Sequence, residues 1–318
     1  MNKWGLIFFM VTYITIPADY TEQRIDNFLF KKLKNVPKSH IYRLIRKGEV
    51  RVNKKRVQAD SRIEEGDIVR IPPFHQQKDD KIVLKPSQIW LNQLKNTVIY
   101  EDEGILAINK PSGLAVHGDN GTYGVIEIMK MIYPQYPDLE LAHRLDKETS
   151  GCLLMAKKRS MLKRLHEAFR EGQVRKTYYA LTFGPWKKSE LHVDLPLTRR
   201  EKATPECCVV VDKFHGKPSV TRFEVADVFK EATGVLAYPE TGRTHQIRVH
   251  AQYKNHSLAG DSRYGHPEFN AHLKLFGLNR LFLHALKLNI RLPNHQPIKI
   301  EAPLPQELTK ILERLTRV

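Results

Sequence analysis

The sequence predicts an α+β fold: a mostly antiparallel mixed sheet with flanking helices, preceded by a small domain of two helices and short strands. Three observations predict it. From about Leu91 onward, β-rich runs follow one another in hairpin-like order, with helical patterns interspersed. Residues 21–72 compress two helical patterns and a polar hairpin into a short stretch. Between the two, "PPFHQQKDDKIVLKPSQ" is polar and punctuated by proline, as linkers are. The expected divisions are a leading extension and strand over 1–20, a small domain over 21–72, a linker over 73–90 and a large domain over 91–318.

In chain order, Lys3 and the apolar run from Trp4 look like a small signal peptide. That run is too short to span a bilayer as a helix, and no small-residue cleavage site follows at Ala18, Asp19 and Tyr20. "VTYITIP" reads instead as a strand leading into the first helix, behind a loose extension. Thr21 is placed to cap a helix whose Ile25, Phe28, Leu29 and Leu33 share one face. Ser39 is placed to cap a second helix, bearing Ile41, Leu44 and Ile45 and stopped by Gly48. "VRVNKKRV" then gives strand, polar turn and strand, and "EEGD" turns the chain into "IVRIP".

The large domain opens on "TVIYEDEGILAINKP", followed by a helix capped by Thr122 and running through Met131. "ELAHR" and "CLLMA" flank a loop that carries Arg144, Asp146, Lys147 and Glu148 ahead of a Ser150-Gly151 turn. "SMLKRLHEAFREG" is an amphipathic helix; "RKTYYALTFG", "SVTRFEVADVF" and "TGVLAYP" are strands. "TGRTHQIRVHAQYKN" starts a helix after its glycine. "RLFLHALKLNI" and "PIKIEAP" close the sheet, and a last helix follows Pro305.

Composition bounds the function. With 41% hydrophobic and 27% charged residues, the chain reads as soluble with a substantial core. It has 52 Lys+Arg against 35 Asp+Glu, a net charge of +17. Such a charge attracts polyanions, nucleic acid before an anionic membrane. Arg43, Arg46, Lys47, Arg51, Lys54, Lys55 and Arg56 crowd the second helix and the following hairpin, opposed by Glu49 alone, as a phosphate-binding surface would. Cys152, Cys207 and Cys208 form no CxxC pair, so neither a disulfide framework nor a cysteine zinc site is expected, in keeping with a reducing cytoplasm.

Common chemistries lack their motifs. No Gly-rich loop follows a strand, so nucleotide cofactors are unsupported. There is no HExxH, and His245 and His250, five apart on an expected helix, do not share a face. No GxSxG provides a nucleophile elbow. What remains is Asp146, with bases and aromatics elsewhere.

Here a resemblance becomes specific. "HRLDKETSG" at His143–Gly151 resembles the central motif of the RluA-type pseudouridine synthases. "NKPSGLAVH" (Asn109–His117), "RKTYYAL" (Arg175–Leu181), "TGRTHQIRVH" (Thr241–His250) and "RLFLHA" (Arg280–Ala285) resemble its other motifs. Through "RIDNFL", "SHIYRLIRKGEV" and "VNKKRV", residues 21–72 resemble the alpha-L RNA-binding domain of the ribosomal protein S-four type. The likeness covers nearly the whole chain from Thr21. It implies the pseudouridine synthase catalytic fold and isomerisation of specific uridines to pseudouridine in 23S ribosomal RNA or large-subunit assembly intermediates. It further implies a cytoplasmic monomer with no cofactor, no metal and no membrane partner. The nearest alternative is the same chemistry on tRNA or another ribosomal uridine. The rival from another class is a non-catalytic ribosome-assembly factor, which loss of Asp146 or Arg248 would have marked; both are present.

The reaction breaks the N1–C1′ bond of uridine, turns the base and rejoins it through C5. Glycosidases use two carboxylates, one as an acid for the leaving oxygen. Uracil leaves as a delocalised anion and needs less protonation, which suits one carboxylate. By resemblance that is Asp146, attacking C1′ or taking the C2′ proton, with Arg248 as its basic partner. A buried carboxylate stays ionised when a cation is held beside it. The resemblance places Tyr178 against the base, with Tyr179 on the opposite strand face. It sends Arg144 into the space the flipped nucleotide vacates, and gives Leu283 and His284 the pocket wall and Asn109, Lys110 and Pro111 its floor.

Overall fold

The computed structural model describes residues 11–33, 36–73, 86–118, 122–200, 208–293 and 295–318, the Cys208 side chain excepted. The expectations for residues 1–10, for Cys207 and for most of the linker lie outside them. The chain divides into two compact units, Met1–Ile82 and Val83–Val318.

In the first unit Thr12–Thr15 pairs with Ile68–Ile71, which pairs with Arg51–Val52, which pairs with Lys55–Arg56, all antiparallel. One sheet face packs on the helices Ile25–Lys32 and Lys38–Arg46, around Phe28, Leu29, Ile41, Leu44 and Val69. Asn53 and Lys54 both have positive φ, as the two-residue hairpin turn that matches strand twist requires. Two expected caps are corrected. Gln23–Arg24 is still strand, paired with Arg62–Ile63, so the first helix waits until Ile25 and Thr21 lies outside it. Pro37 occupies the cap of the second helix and Ser39 already lies within it.

In the second unit, ten strands among the described residues form one sheet. Its main path runs His192–Asp194, Val220–Val228, Ala232–Pro239, Val174–Phe183, Leu283–Ile290, Ser150–Ala156, Ile105–Lys110 and Val98–Glu101. Every neighbouring pair is antiparallel except Ser150–Ala156 with Leu283–Ile290. Ser150–Ala156 is buried along its whole length. Its core is shared with the helices Val125–Ile132 and Arg159–Arg170, while Pro267–Leu275 and Gln306–Arg314 close a separate core around Phe282.

Three further expectations are corrected. The Val125–Ile132 helix is capped not by Thr122 but by the Glu127 carboxylate, which accepts from Gly124 N at 2.9 Å and Gly118 N at 3.0 Å. A helix, Gln88–Lys95, fills the end of the segment read as a linker. Ser150 and Gly151 begin a strand rather than a turn; the turn falls at Lys147-Glu148, closed by Thr149 N donating to Asp146 O at 3.2 Å. The reason is the parallel contact, in which Ser150 pairs with His284 and Gly151 with Ala285. Gly151 has φ +111°, and a Cβ there would sit 2.2 Å from the Ala285 carbonyl oxygen. Only glycine fits, and the loop before it ends where the two central strands meet.

Candidate active site

Asp146 stands at the start of that Lys147-Glu148 turn, and the "KPSG" stretch braces the loop from behind. Lys110 Nζ donates to the carbonyls of Leu114 (2.8 Å), Pro111 (2.9 Å) and Lys147 (3.1 Å). Gly113 N donates to Lys147 O at 2.9 Å and Ser112 Oγ to Glu148 O at 2.7 Å. Burial pushes the Lys110 ammonium down to about 7. Lys110 is thus a fully buried strut, and Asn109 turns away to donate to Pro303 O at 3.1 Å. Neither lines the pocket beside Asp146, which corrects the expectation that they shape its floor.

Arg248 comes from the helix Gln246–Tyr253 and is 2% exposed. Its guanidinium is gripped by Asp261, Nε to Oδ2 at 2.7 Å and Nη2 to Oδ1 at 2.8 Å. Asp261 also accepts from the backbone N–H groups of Arg263 (2.9 Å) and Tyr264 (3.0 Å). With its Nε–Nη2 edge taken by Asp261, Arg248 turns Nη1 to Asp146 Oδ2 at 3.7 Å, a charge contact longer than a hydrogen bond. Nη2 also lies 3.6 Å from Glu148 Oε2. Burial works against the Arg248 charge, but the Asp261 bonds outweigh it and raise its pKa. Burial likewise works against the Asp261 charge, and Arg248 holds that carboxyl below its ordinary range.

His245 caps the same helix in a left-handed conformation, φ +54°, uncommon outside glycine. Its Nδ1 is 2.9 Å from the Tyr264 hydroxyl and its Nε2 3.8 Å from Asp146 Oδ2. Burial lowers its pKa. The loop leading to it is held by buried Gln246, whose Oε1 accepts from Thr241 Oγ1 at 2.6 Å and Arg243 N at 3.0 Å. Asp146, Arg248, His245, Tyr178, Arg144 and Leu283 line one pocket of about 260 Å³.

Tyr178 and Tyr179 part as strand alternation requires. Tyr178 packs on the core beneath Asp146 and faces the pocket. Its hydroxyl has no hydrogen-bond partner among the described residues. Burial, then the Asp146 charge, pushes its pKa up, so it is a neutral phenol across the physiological range. Tyr179 lies in the opposite core against Phe282 and donates to Asp227 Oδ2 at 2.8 Å. Arg144 is exposed at the pocket rim. Lys176 also lines the pocket; it donates to Thr241 O at 2.9 Å, and burial pushes its pKa down to about 8.

Leu283 is in the pocket wall, but His284 is not; adjacent strand residues face opposite ways. The Ala302 carbonyl can only accept, so His284 donates to it through Nε2 at 3.1 Å. Nδ1 then accepts from Ser150 Oγ at 2.8 Å, and Ser150 Oγ accepts from Arg280 at 2.7 Å. Burial pushes His284 down to about 4, so the imidazole is neutral. The chain Arg280–Ser150–His284–Ala302 anchors the end of the Asp146 loop. His250 is likewise buried and bonded, to Thr221 Oγ1 and Leu195 O. No cluster of metal-ligating side chains occurs among the described residues. No helix among them is long and apolar enough to cross a membrane.

Sequence reasoning missed Asp261, His245, Tyr264 and Lys176 as parts of the site. Asp261 sits in "AGDSRYG", which by itself reads as a turn. The seven bases of the first unit are all exposed, but they do not share one face. Lys55 pairs with Val52 in the row of buried Val69, on the other side of the sheet from Arg51 and Arg56.

Residues 104–253 match the RNA pseudouridylate synthase family and residues 23–69 the S4 domain. The chain is 48% identical over 308 residues to "Ribosomal large subunit pseudouridine synthase C" of Vibrio vulnificus, covering 96% of each chain. It is 48% identical over 309 residues to the Escherichia coli (strain K12) protein of the same name, covering 96% of this chain and 97% of that one. Among solved structures it is similar to "Human RNA Pseudouridylate Synthase Domain Containing 4", with a TM-score of 0.56 and 27% identity over 71% of this chain and 95% of the other. With the fold, the Asp146 pocket and these relatives in agreement, the chain belongs to the RNA pseudouridylate synthases, isomerases that act on RNA.

Proposed function

We propose that this protein converts specific uridines of 23S ribosomal RNA to pseudouridine in the bacterial cytoplasm, with Asp146 as the catalytic carboxylate. The observation that carries the residue roles is the pocket in which Asp146 stands beside a clamped, buried Arg248 with Tyr178 lining the same space. The 23S target rests on relatives named for the ribosomal large subunit.

A uridine flipped from its stack enters the pocket, and Arg144, exposed at the rim, fills the gap it leaves. Asp146 acts on the ribose, attacking C1′ or removing the C2′ proton; either step needs the ionised form. Arg248 supplies the facing positive charge, and Asp261 keeps that charge in place at no cost in reorganisation. Uracil departs with the N1–C1′ bonding pair, turns against the Tyr178 ring and bonds to C1′ through C5. On the first route the Asp146–C1′ bond breaks as C5 takes its place; on the second Asp146 returns the proton to C2′ as C5 bonds to C1′. The C5 proton then leaves and N1 gains one. Substrate and product are isomers, so nothing else is consumed. The exposed bases of the S4 domain hold phosphates.

The test is pseudouridine sequencing of 23S rRNA from a strain lacking this gene. Specific positions should revert to uridine and be restored by the wild-type gene but not by Asp146→Asn. An unchanged pattern sinks the proposal, and loss confined to tRNA moves the activity to that substrate.

A further inference from the structure

In the first unit, Tyr13 pairs with Arg70, Arg70 with Arg51, and Arg51 with Arg56. Residues opposite one another in a sheet point to the same side. These four therefore form one row across all four strands, on the face away from the helices. Ile68, two residues before Arg70, shares that face. Tyr13 is 64% exposed and Ile68 47%.

The arginines are not loose. Arg56 donates to the carbonyl of Lys47 (3.4 Å), Arg51 to that of Gly48 (3.2 Å) and Arg70 to that of Glu49 (2.7 Å). Successive carbonyls after the Lys38–Arg46 helix thus hold three guanidinium groups in the row that Tyr13 ends, with Arg70 its direct cross-strand neighbour. Tyr13, Ile68, Arg51 and Arg70 line a common groove with that turn. A surface for phosphates alone needs only the charge; an exposed tyrosine and isoleucine cost hydration and contribute nothing to it.

We propose that this face binds unpaired RNA, with a base stacked on Tyr13 and seated against Ile68 while Arg51, Arg56 and Arg70 take the adjoining phosphates. A sheet face with an aromatic ring among guanidinium groups suits single strands, whose bases are free to stack. A duplex offers it phosphates only. The S4 domain would then select a looped or not yet paired stretch of RNA in addition to gripping its charge. The inference rests on the RNA-modifying reading above in taking RNA as the partner.

The test uses the full chain and a labelled unpaired RNA of about a dozen nucleotides, alongside the same sequence as a blunt duplex. Tyr13→Ala should weaken binding of the single strand at least about fivefold, the loss of one base–aromatic stack. It should leave the duplex within about twofold and the salt slope of single-strand binding unchanged, since every phosphate keeps its arginine. Tyr13→Phe should bind like wild type, which a lost fold would not allow. Equal weakening on both RNAs, no weakening on either, or failure of Phe to restore binding would overturn the proposal. Binding needs no turnover, so it is read independently of rRNA modification. A normal pseudouridine map with Tyr13-independent binding fails only this inference, and an unchanged map in the deletion strain fails only the proposed reaction.

Discussion

Arg248 and Arg51 solve opposite problems with the same side chain. Arg248 is 2% exposed, doubly bonded to Asp261, and has one edge left for Asp146. Arg51 lies in solvent and donates to the backbone oxygens of Gly48 and Lys54, at 3.2 and 3.5 Å. A buried charge is tolerable only when its partners are fixed, so Arg248 has one geometry and a large penalty for losing it. Exposed charges are screened and individually weak, so the sheet face works by number. Under the proposed roles the difference teaches where single substitutions should matter: they should decide chemistry in the second unit and tune grip in the first.

The largest effect should come from Asp146→Asn. Its single-turnover rate on an rRNA fragment should fall by at least about 10²- to 10⁴-fold, the usual worth of a positioned acid–base group. RNA affinity should stay within a few-fold, because the amide keeps the shape. Measurable wild-type-like turnover would remove Asp146 from the reaction.

Asp261→Asn should come next, and it should cost stability as well as rate. Breaking a buried ion pair from one side costs roughly 3–5 kcal/mol; Arg248 would keep only its longer contacts to Asp146 and Glu148, and its loosened guanidinium should cost about 10²-fold in rate. The pH dependence follows from the sign of the shift. The Asp261 pKa is lowered on folding from 3.8, so its stabilisation is complete above that value and is lost as pH falls through the folded value. Denaturant titrations should show the gap between wild type and Asp261→Asn shrinking in acid. A gap that stays constant would deny the ion pair its role.

The two tyrosines sharpen the comparison within one strand. Tyr178→Phe should keep base stacking but lose most of the rate. Tyr179→Phe should turn over within about twofold and lose only about 1 kcal/mol of stability, the Asp227 hydrogen bond. Equal rate losses would mean that both faces of the strand feed the site.

The smallest effect belongs to the exposed bases. Lys54→Ala with Arg46→Ala should reduce the slope of log affinity against log salt by roughly 0.7 to 0.9 for each phosphate no longer neutralised, with the saturated rate unchanged. An unchanged slope would make these bases a solvated face only.

Much of this was legible in the chain itself. Alternation in "RKTYYAL" separates Tyr178 from Tyr179, and the structure keeps them apart. The same rule, applied to Leu283 and His284 or to Asn109 and Lys110, would have warned that neighbours cannot both reach one pocket. The helix starts were less legible. Thr21, Ser39 and Thr122 are good capping residues, but a strand pair, a proline and the Glu127 carboxylate moved the actual starts.

The sequence by itself determined the sheet-rich fold, the basic first unit and the motifs that bring Asp146, Tyr178 and Arg248 to notice, because periodicity, charge and motif are local properties. Tertiary structure alone decided which carboxylate holds Arg248 and which lysine braces the loop. It also decided which arginines line up beside Tyr13. Asp261 reads as a turn residue until a helix from elsewhere in the sequence lays a guanidinium against it. Lys110 is given to the pocket floor by resemblance, but three carbonyls close around its ammonium group and make it a strut instead. The Tyr13 row exists only through strand register, which joins residues far apart in the chain. Burial makes such partners obligatory, since an unpaired charge in the interior costs more than the fold can spare.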